Sequence, residues 1–238
     1  MIRGFYTALS GIMSSMTRQA VVADNISNSS TVGFKQSRTV QDDFELQVMN
    51  SLGPELGELG TGTIPTGLKL DISQGPLDTT GVKTDLAVSG DGLFVVRKDG
   101  GVAYTRAGDF TVDATGTLVT QQGYAVLDTA GHPVQTEPGS SFTVGTDGTV
   151  AETGQRIALV GWPPGGVTRL GENLYSAGGQ LTPATGSISQ GTLEGSNTDM
   201  AAAMTDLISL ERNFQMNSRA LSIQDSSIGD AVQLGRLR

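Results

Sequence analysis

The stretch ADNISNSSTVGFK, residues 23–35, is where an evenly spaced run of apolar residues stops. In its place come Asn25, Ser27, Asn28, Ser29, Ser30 and Thr31, then Gly33, Phe34 and Lys35. Asn, Ser and Thr side chains bond to nearby backbone and compete with helical hydrogen bonds. Gly33 then permits a sharp exit, because glycine enters left-handed backbone conformations without a steric penalty. The stretch predicts the end of one helix and the start of an extended connector.

Before it, Ile2, Phe5, Leu9, Ile12, Met16, Gln19, Ala23 and Ile26 step alternately by three and four residues. At the other end of the chain Met200, Ala203, Leu207, Leu210, Phe214, Asn217, Leu221, Gln224, Ile228 and Ala231 do the same. Each is a heptad seam, and a heptad seam needs a partner helix. An amphipathic helix lying on its own domain's core gives a similar stripe. Narrow, regular seams at opposite ends of one chain instead point to each other, and the expectation is a coiled coil of residues 1–30 with 199–238. Polar Gln19, Asn217 and Gln224 either fix the register or face water where the seam frays. Gly4, Ala8, Gly11 and Ser15 run beside the first seam and would let another backbone approach closely, as a docking groove in a packed assembly. Ser196 or Asn197 is expected to cap the second helix, with Asp199 set against its positive end.

Composition divides the chain at the same places. Residues 1–30 and 199–238 hold four of the 33 glycines and none of the eight prolines. They carry six basic and six acidic residues, so the middle bears the whole formal charge of −9. The ends are helix material and the middle is strand and turn material. Residues 36–75 show little period and read as extended or loop. From residue 85 onward short β-prone runs are separated by KDGG, DATG, DTAG and GTDG, which is hairpin chemistry. FTVDATGTLVTQQG at 110–123 echoes FTVGTDGTVAETG at 142–154, as repeated hairpin use. Gln74-Gly75-Pro76-Leu77 is echoed by Gln190-Gly191-Thr192-Leu193, which suggests two crossing strands side by side in a stalk. The expected fold is α+β: paired terminal helices, connectors at 31–84 and 186–198, and a mainly antiparallel β domain at 85–185.

Little in the chain suggests chemistry. It has no cysteine, and its one histidine, His132, sits in a turn beside a proline. That removes thiolate nucleophiles, disulfides and His- or Cys-type metal sites. Gly90-Asp91-Gly92 lacks the third glycine and following helix of a dinucleotide site. Asp85, Asp91, Asp109 and Asp113 could pair as glycosidase carboxylates, and Asp113 or Asp147 could suggest calcium loops. Aspartate in glycine-flanked turns is what hairpins require in any case, and the full acidic ligand pattern of a calcium loop is missing. No cofactor, metal or catalytic residue is assigned. A charge of −9 disfavours nucleic acid and anionic membranes. No apolar run approaches the roughly 20 residues that span a bilayer. MIRGFYTALSGIMSS lacks the clean apolar core of a cleaved signal peptide.

The residues resemble the bacterial flagellar basal-body rod proteins, the group containing FlgF and FlgG and related to the hook protein. The resemblance rests on Ala23-Asp24-Asn25-Ile26-Ser27-Asn28 with Thr31-Val32-Gly33-Phe34-Lys35, and on Tyr104-Thr105-Arg106-Ala107-Gly108-Asp109-Phe110 with Asp113, Gly116, Leu118 and Val119. It rests also on Leu193-Glu194-Gly195-Ser196-Asn197 through Met204-Thr205-Asp206-Leu207-Ile208 to Glu211-Arg212-Asn213-Phe214. Asp24 and Ser27 depart mildly from the usual Asn and Ala. The short length, the LEGSN element and the Tyr6-Thr7-Ala8 start lean toward FlgF, whereas Gly171-Glu172-Asn173-Leu174-Tyr175 looks more like FlgG. The resemblance implies a structural subunit of the periplasmic rod, exported through the flagellar type III apparatus without a cleaved signal peptide. It implies polymerisation with further copies and with other rod and hook subunits into a helical tube that transmits torque, with no cofactor, nucleic acid or direct membrane insertion.

The assembly interface is expected at Ile2, Phe5, Leu9, Ile12, Met16, Ala23, Ile26, Met200, Leu207, Leu210, Phe214, Leu221 and Ile228. Asn25, Asn28, Thr31, Gly33, Phe34 and Lys35 are expected to form the connector motif. The alternative is a secreted β-rich adhesin or surface-layer module whose terminal helices merely close the domain.

Overall fold

The computed structural model describes residues 2–43, 63–136, 142–163 and 166–236. Two helices flank a mainly antiparallel β region: α1 spans Ile2–Ser27 and α2 spans Met200–Arg236. The strands in chain order are β1 Ser37–Asp43, β2 Thr63–Leu70, β3 Leu77–Thr79, β4 Leu86–Ser89 and β5 Leu93–Lys98. They continue with β6 Gly101–Thr105, β7 Thr111–Val112, β8 Leu118–Val119, β9 Ala125–Val126 and β10 Leu159–Gly161. The last are β11 Val167–Gly171, β12 Leu174–Ala177, β13 Thr182–Pro183, β14 Ser187–Gln190 and β15 Thr192–Glu194. The chain divides into two compact units. The first comprises Met1–Ser27, Ser37–Asp71 and Asp199–Arg238; the second comprises Asn28–Gln36 and Ile72–Thr198.

In the first unit α1 packs on α2 and on the antiparallel pair β1–β2. That pair differs from the expectation of an aperiodic 36–75. In β1 covered Ser37, Thr39 and Gln41 alternate with exposed Arg38 and Val40, but the covered residues are polar, and Thr66 to Lys69 of β2 are all exposed, so hydrophobic pattern gave no strand signal. Pro65 lies within β2 beside a register shift at Val40/Gln41, where a missing N–H is tolerated. Residues 52–62 of the Gly- and Pro-rich stretch lie outside the described residues. The start of α2 also differs from expectation. Asp199 is itself the cap, its Oδ1 accepting the N–H groups of Ala201 at 2.9 Å and Ala202 at 3.1 Å.

The second unit is built on an antiparallel sheet with the strand path β11-β12-β6-β5-β9-β8-β7 and β10 also joined to β5. Its core is a cluster that includes Leu86, Val96, Leu118, Val126 and Ile157. Phe94 and Phe110 meet there edge to face at 5.1 Å. Asp99 and Gly100 form the two-residue turn between β5 and β6, both with positive φ, at 48° and 81°. That is the primed turn whose twist matches flanking strands. The repeated hairpins use one device. Asp113 Oδ1 accepts Thr115 N–H at 2.8 Å, and Asp147 Oδ1 accepts Thr149 N–H at 3.1 Å. The Thr115 and Thr149 hydroxyls also donate to these carboxylates, each at 2.7 Å, and are the largest cause holding both carboxyls below their ordinary range. The echoed segments pair as well: β15 runs antiparallel to β3, with Leu193 opposite Asp78.

Candidate functional site

Within the second unit three separated motifs converge on Glu194. Lys35 extends its Nζ to Glu194 Oε1 at 2.5 Å and to the Ser73 carbonyl at 2.6 Å. Arg106 donates from Nε to Glu194 Oε2 at 2.5 Å. Its remaining nitrogens donate to the carbonyls of Val88 and Gly90, each at 2.7 Å, and of Gly92. Lys35, Glu194 and Arg106 are 0, 1 and 2% exposed. Buried charges of this kind persist only when fully paired and hydrogen-bonded. One carboxylate faces two cations, and the inward-pointing carbonyls balance the excess positive charge. The Gly75 N–H completes the shell of Oε1 at 2.9 Å.

The chain around Lys35 is held as tightly. Gly33 has φ +66° and gives its N–H to the Glu194 carbonyl at 2.7 Å. A Cβ there would lie 2.4 Å from Ala107 N and from the Arg106 carbonyl carbon, so only glycine fits. Asn197 Oδ1 accepts the Gln36 N–H at 2.8 Å, and its Nδ2 donates to the Ser73 carbonyl at 3.1 Å. The Arg169 guanidinium lies 4.4 Å over the Phe34 ring and donates to the Lys35 carbonyl. Thr31 Oγ1 bonds Asn28 Oδ1 at 3.2 Å. In the first unit Asn25 takes both backbone groups of Ser37, accepting its N–H at 2.9 Å and donating to its carbonyl at 2.8 Å. Asn25, Asn28 and Thr31 are thus consumed in fixing the path of the chain. Sequence reading identified Lys35 and missed its partners Glu194, Arg106 and Arg169. The available signal was an acidic residue beside Leu193 in the second of two echoed strands.

The first unit carries the helix faces. On α2 the covered or half-covered residues are Ala203, Leu207, Leu210, Phe214, Asn217, Ser218, Leu221 and Gln224, with Leu210 only 3% exposed. Met200 and Ile228, also expected in that seam, are exposed. On α1 the covered line is Ala8, Gly11, Ile12, Ser15, Gln19, Val22 and Ile26. Ile12 and Ile26 stand where the seam was expected, whereas Leu9, Met16 and Ala23 are exposed. The seam is rotated because small residues allow the closer approach: a Cβ on Gly11 would come within 2.8 Å of Asn217 Nδ2. The small-residue stripe therefore meets α2 of the same chain. Ser14 faces the β1–β2 pair and accepts from Gln41 at 2.5 Å. Nothing is described of the Ile2 and Phe5 side chains.

The rotation leaves a second stripe uncovered on α1. Leu9, Met13, Met16, Ala20 and Ala23 step by four and three along its exposed side. Met13 is 61% and Met16 56% exposed. On α2 Met204, Ile208, Met216 and Ile223 are likewise exposed. Among the described residues no helix is long and apolar enough to cross a membrane.

Three family patterns match. "Flagella basal body rod protein" covers residues 5–35, "Flagellar hook protein FlgE/F/G D1 domain" 87–152, and "Flagellar basal body rod FlgEFG protein C-terminal" 189–234. The flagellar basal-body rod protein FlgG of Bacillus subtilis is 35% identical, the match covering 99% of this chain and all of that protein. The rod protein FlgF of Rhizobium meliloti is 34% identical over 97% of this chain and 96% of its own length. FlgF of Escherichia coli is 31% identical over 98% of each.

Proposed function

We propose how this chain assembles from one premise: it belongs to the FlgF/FlgG family of flagellar basal-body rod proteins. It is a structural subunit of the flagellar basal body, and the adhesin alternative finds no support among its relatives. The family is structural, not enzymatic. Relatives named FlgG and relatives named FlgF match along nearly the whole chain at similar identity.

Subunits join through their terminal helices. The observation that carries this reading is the uncovered stripe Leu9-Met13-Met16-Ala20-Ala23, a second heptad-spaced face on a helix whose first face is already used. Burying each large apolar side chain contributes about 1.5–3 kcal/mol. The exposed Leu, Met and Ile of α1 and α2 thus leave a large driving force unused in a single subunit. Leu9, Met16, Ala23, Met200 and Ile228 act between subunits, and Ile12, Leu207, Leu210, Phe214 and Leu221 act within the α1–α2 coiled coil. The neutral charge of the helical ends lets copies crowd without accumulating repulsion. Partners are further copies and other rod or hook subunits, and the product is a helical tube that transmits torque. Delivery is by the flagellar type III apparatus.

The test is complementation of a strain lacking this chain by Met13→Asp/Met16→Asp. Loss of motility, with the purified variant keeping its helix and strand signals in circular dichroism, is expected. Full motility would overturn the reading.

A further inference from the structure

We propose that the helical methionines form an oxidation-sensitive control of assembly. The proposal rests on the assembly reading above and adds a modification site to it. Five of the seven methionines have described side chains: Met13, Met16, Met200, Met204 and Met216. All five are exposed, and all lie on α1 or α2. Methionine is ordinarily among the buried residue types, so this distribution runs against the usual one. The second unit, with its larger apolar core, contains none among its described residues. Met13 and Met16 stand three apart within one stripe, and Met200 and Met204 four apart, so each pair lies on one helix face.

The chain has no cysteine to consume oxidant first. Accessible thioethers are then its readily oxidised sulfurs. With hydrogen peroxide, a thioether lone pair attacks one peroxide oxygen. The O–O bond breaks, an S–O bond forms, the sulfur is oxidised by two electrons, and the peroxide is reduced to water. Each apolar, flexible side chain becomes a polar sulfoxide on a face that must be dried to join a neighbour. Reductases of the MsrA and MsrB type reverse the step, with two thiols oxidised to a disulfide and the oxygen leaving as water. An unassembled subunit is sensitive, and a subunit whose stripe is covered by a neighbour is protected.

The experiment treats the purified full chain with hydrogen peroxide, locates added oxygen by peptide mass spectrometry, and follows self-association by sedimentation over a concentration series. Oxygen at these five positions should raise the concentration needed for association by about tenfold or more. Treatment with both reductases and a thiol should restore it. In a variant with leucine at all five positions, peroxide should leave association as it was before treatment. Association of the oxidised wild type equal to that of the untreated chain overturns the inference and leaves the assembly reading standing. So does a loss that the reductases fail to reverse, or an equal loss in the leucine variant. An untreated wild-type chain that stays monomeric at every concentration overturns both.

Discussion

Lys35 Nζ lies 2.5 Å from Glu194 Oε1, although 159 residues of sequence separate them. The carboxylate is shared with Arg106, and all three side chains are buried. A buried ion pair is weak support for stability by itself, because desolvation offsets attraction, but removing one member strands the others. Glu194→Gln strands two cations and should cost about 3–5 kcal/mol of unfolding free energy. Lys35→Met leaves Glu194 paired with Arg106 and should cost clearly less. Denaturant unfolding of both variants measures the order; a smaller loss in Glu194→Gln than in Lys35→Met would contradict the shared-carboxylate geometry.

Gly33→Ala meets two obstacles at once. Its φ of +66° costs a non-glycine residue about 1–3 kcal/mol, and its new methyl collides with the backbone of Arg106 and Ala107. Gly123 has a comparable φ of +87° with nothing near its Cβ position, so Gly123→Ala isolates the conformational part. Gly33→Ala should lower the melting temperature several times as much as Gly123→Ala. Equal losses would show that the close contact carries no weight.

Gly11 separates close approach from helix propensity. Its Cβ position meets the mobile end of Asn217, which can swing aside, and alanine is the better helix former by about 1 kcal/mol. Gly11→Ala should be neutral or slightly stabilising. Gly11→Leu cannot be accommodated by that movement and should reduce the helical signal in circular dichroism while the strand signal persists. An unchanged helical signal in Gly11→Leu would mean that α1 and α2 do not depend on this contact.

Burial pushes the Asp109 carboxyl above its ordinary range, a backbone hydrogen bond opposes that, and the charge of Asp85 adds to it. A carboxyl raised in the folded state favours folding most when protonated. That contribution is complete below the unfolded value of about 4 and is lost as pH rises through the folded value. Asp109→Asn should therefore match or exceed the wild type in stability at neutral pH and lose that advantage in acid. Thermal unfolding of both proteins at neutral and acid pH checks it; a variant relatively more stable in acid would reverse the sign.

Much of this architecture was legible because it rests on period and punctuation. The spacing of Ala203, Leu207, Leu210 and Phe214 marked the covered face of α2, and Asn25 through Gly33 marked the end of α1. The α1 face was misjudged by one step because hydrophobicity favours Leu9 and Met16, whereas packing distance favours Ala8, Gly11 and Ser15. Pattern ranks side chains by affinity for oil and says nothing about how closely two backbones come. β1 and β2 were missed because the covered side of β1 is polar, Ser37, Thr39 and Gln41, and most of β2 is exposed, which leaves no hydrophobic alternation. The partners of Lys35 were missed because an ion pair closed across 159 residues has no local signature.

The stripe Leu9-Met13-Met16-Ala20-Ala23, open in one subunit, should be closed by a neighbour in the rod. An electron cryo-microscopy map of isolated basal bodies, resolved to side chains, tests it most directly. Met13 and Met16 should lie buried against a helix of an adjoining subunit; finding them facing water in the assembled rod would contradict the proposed packing.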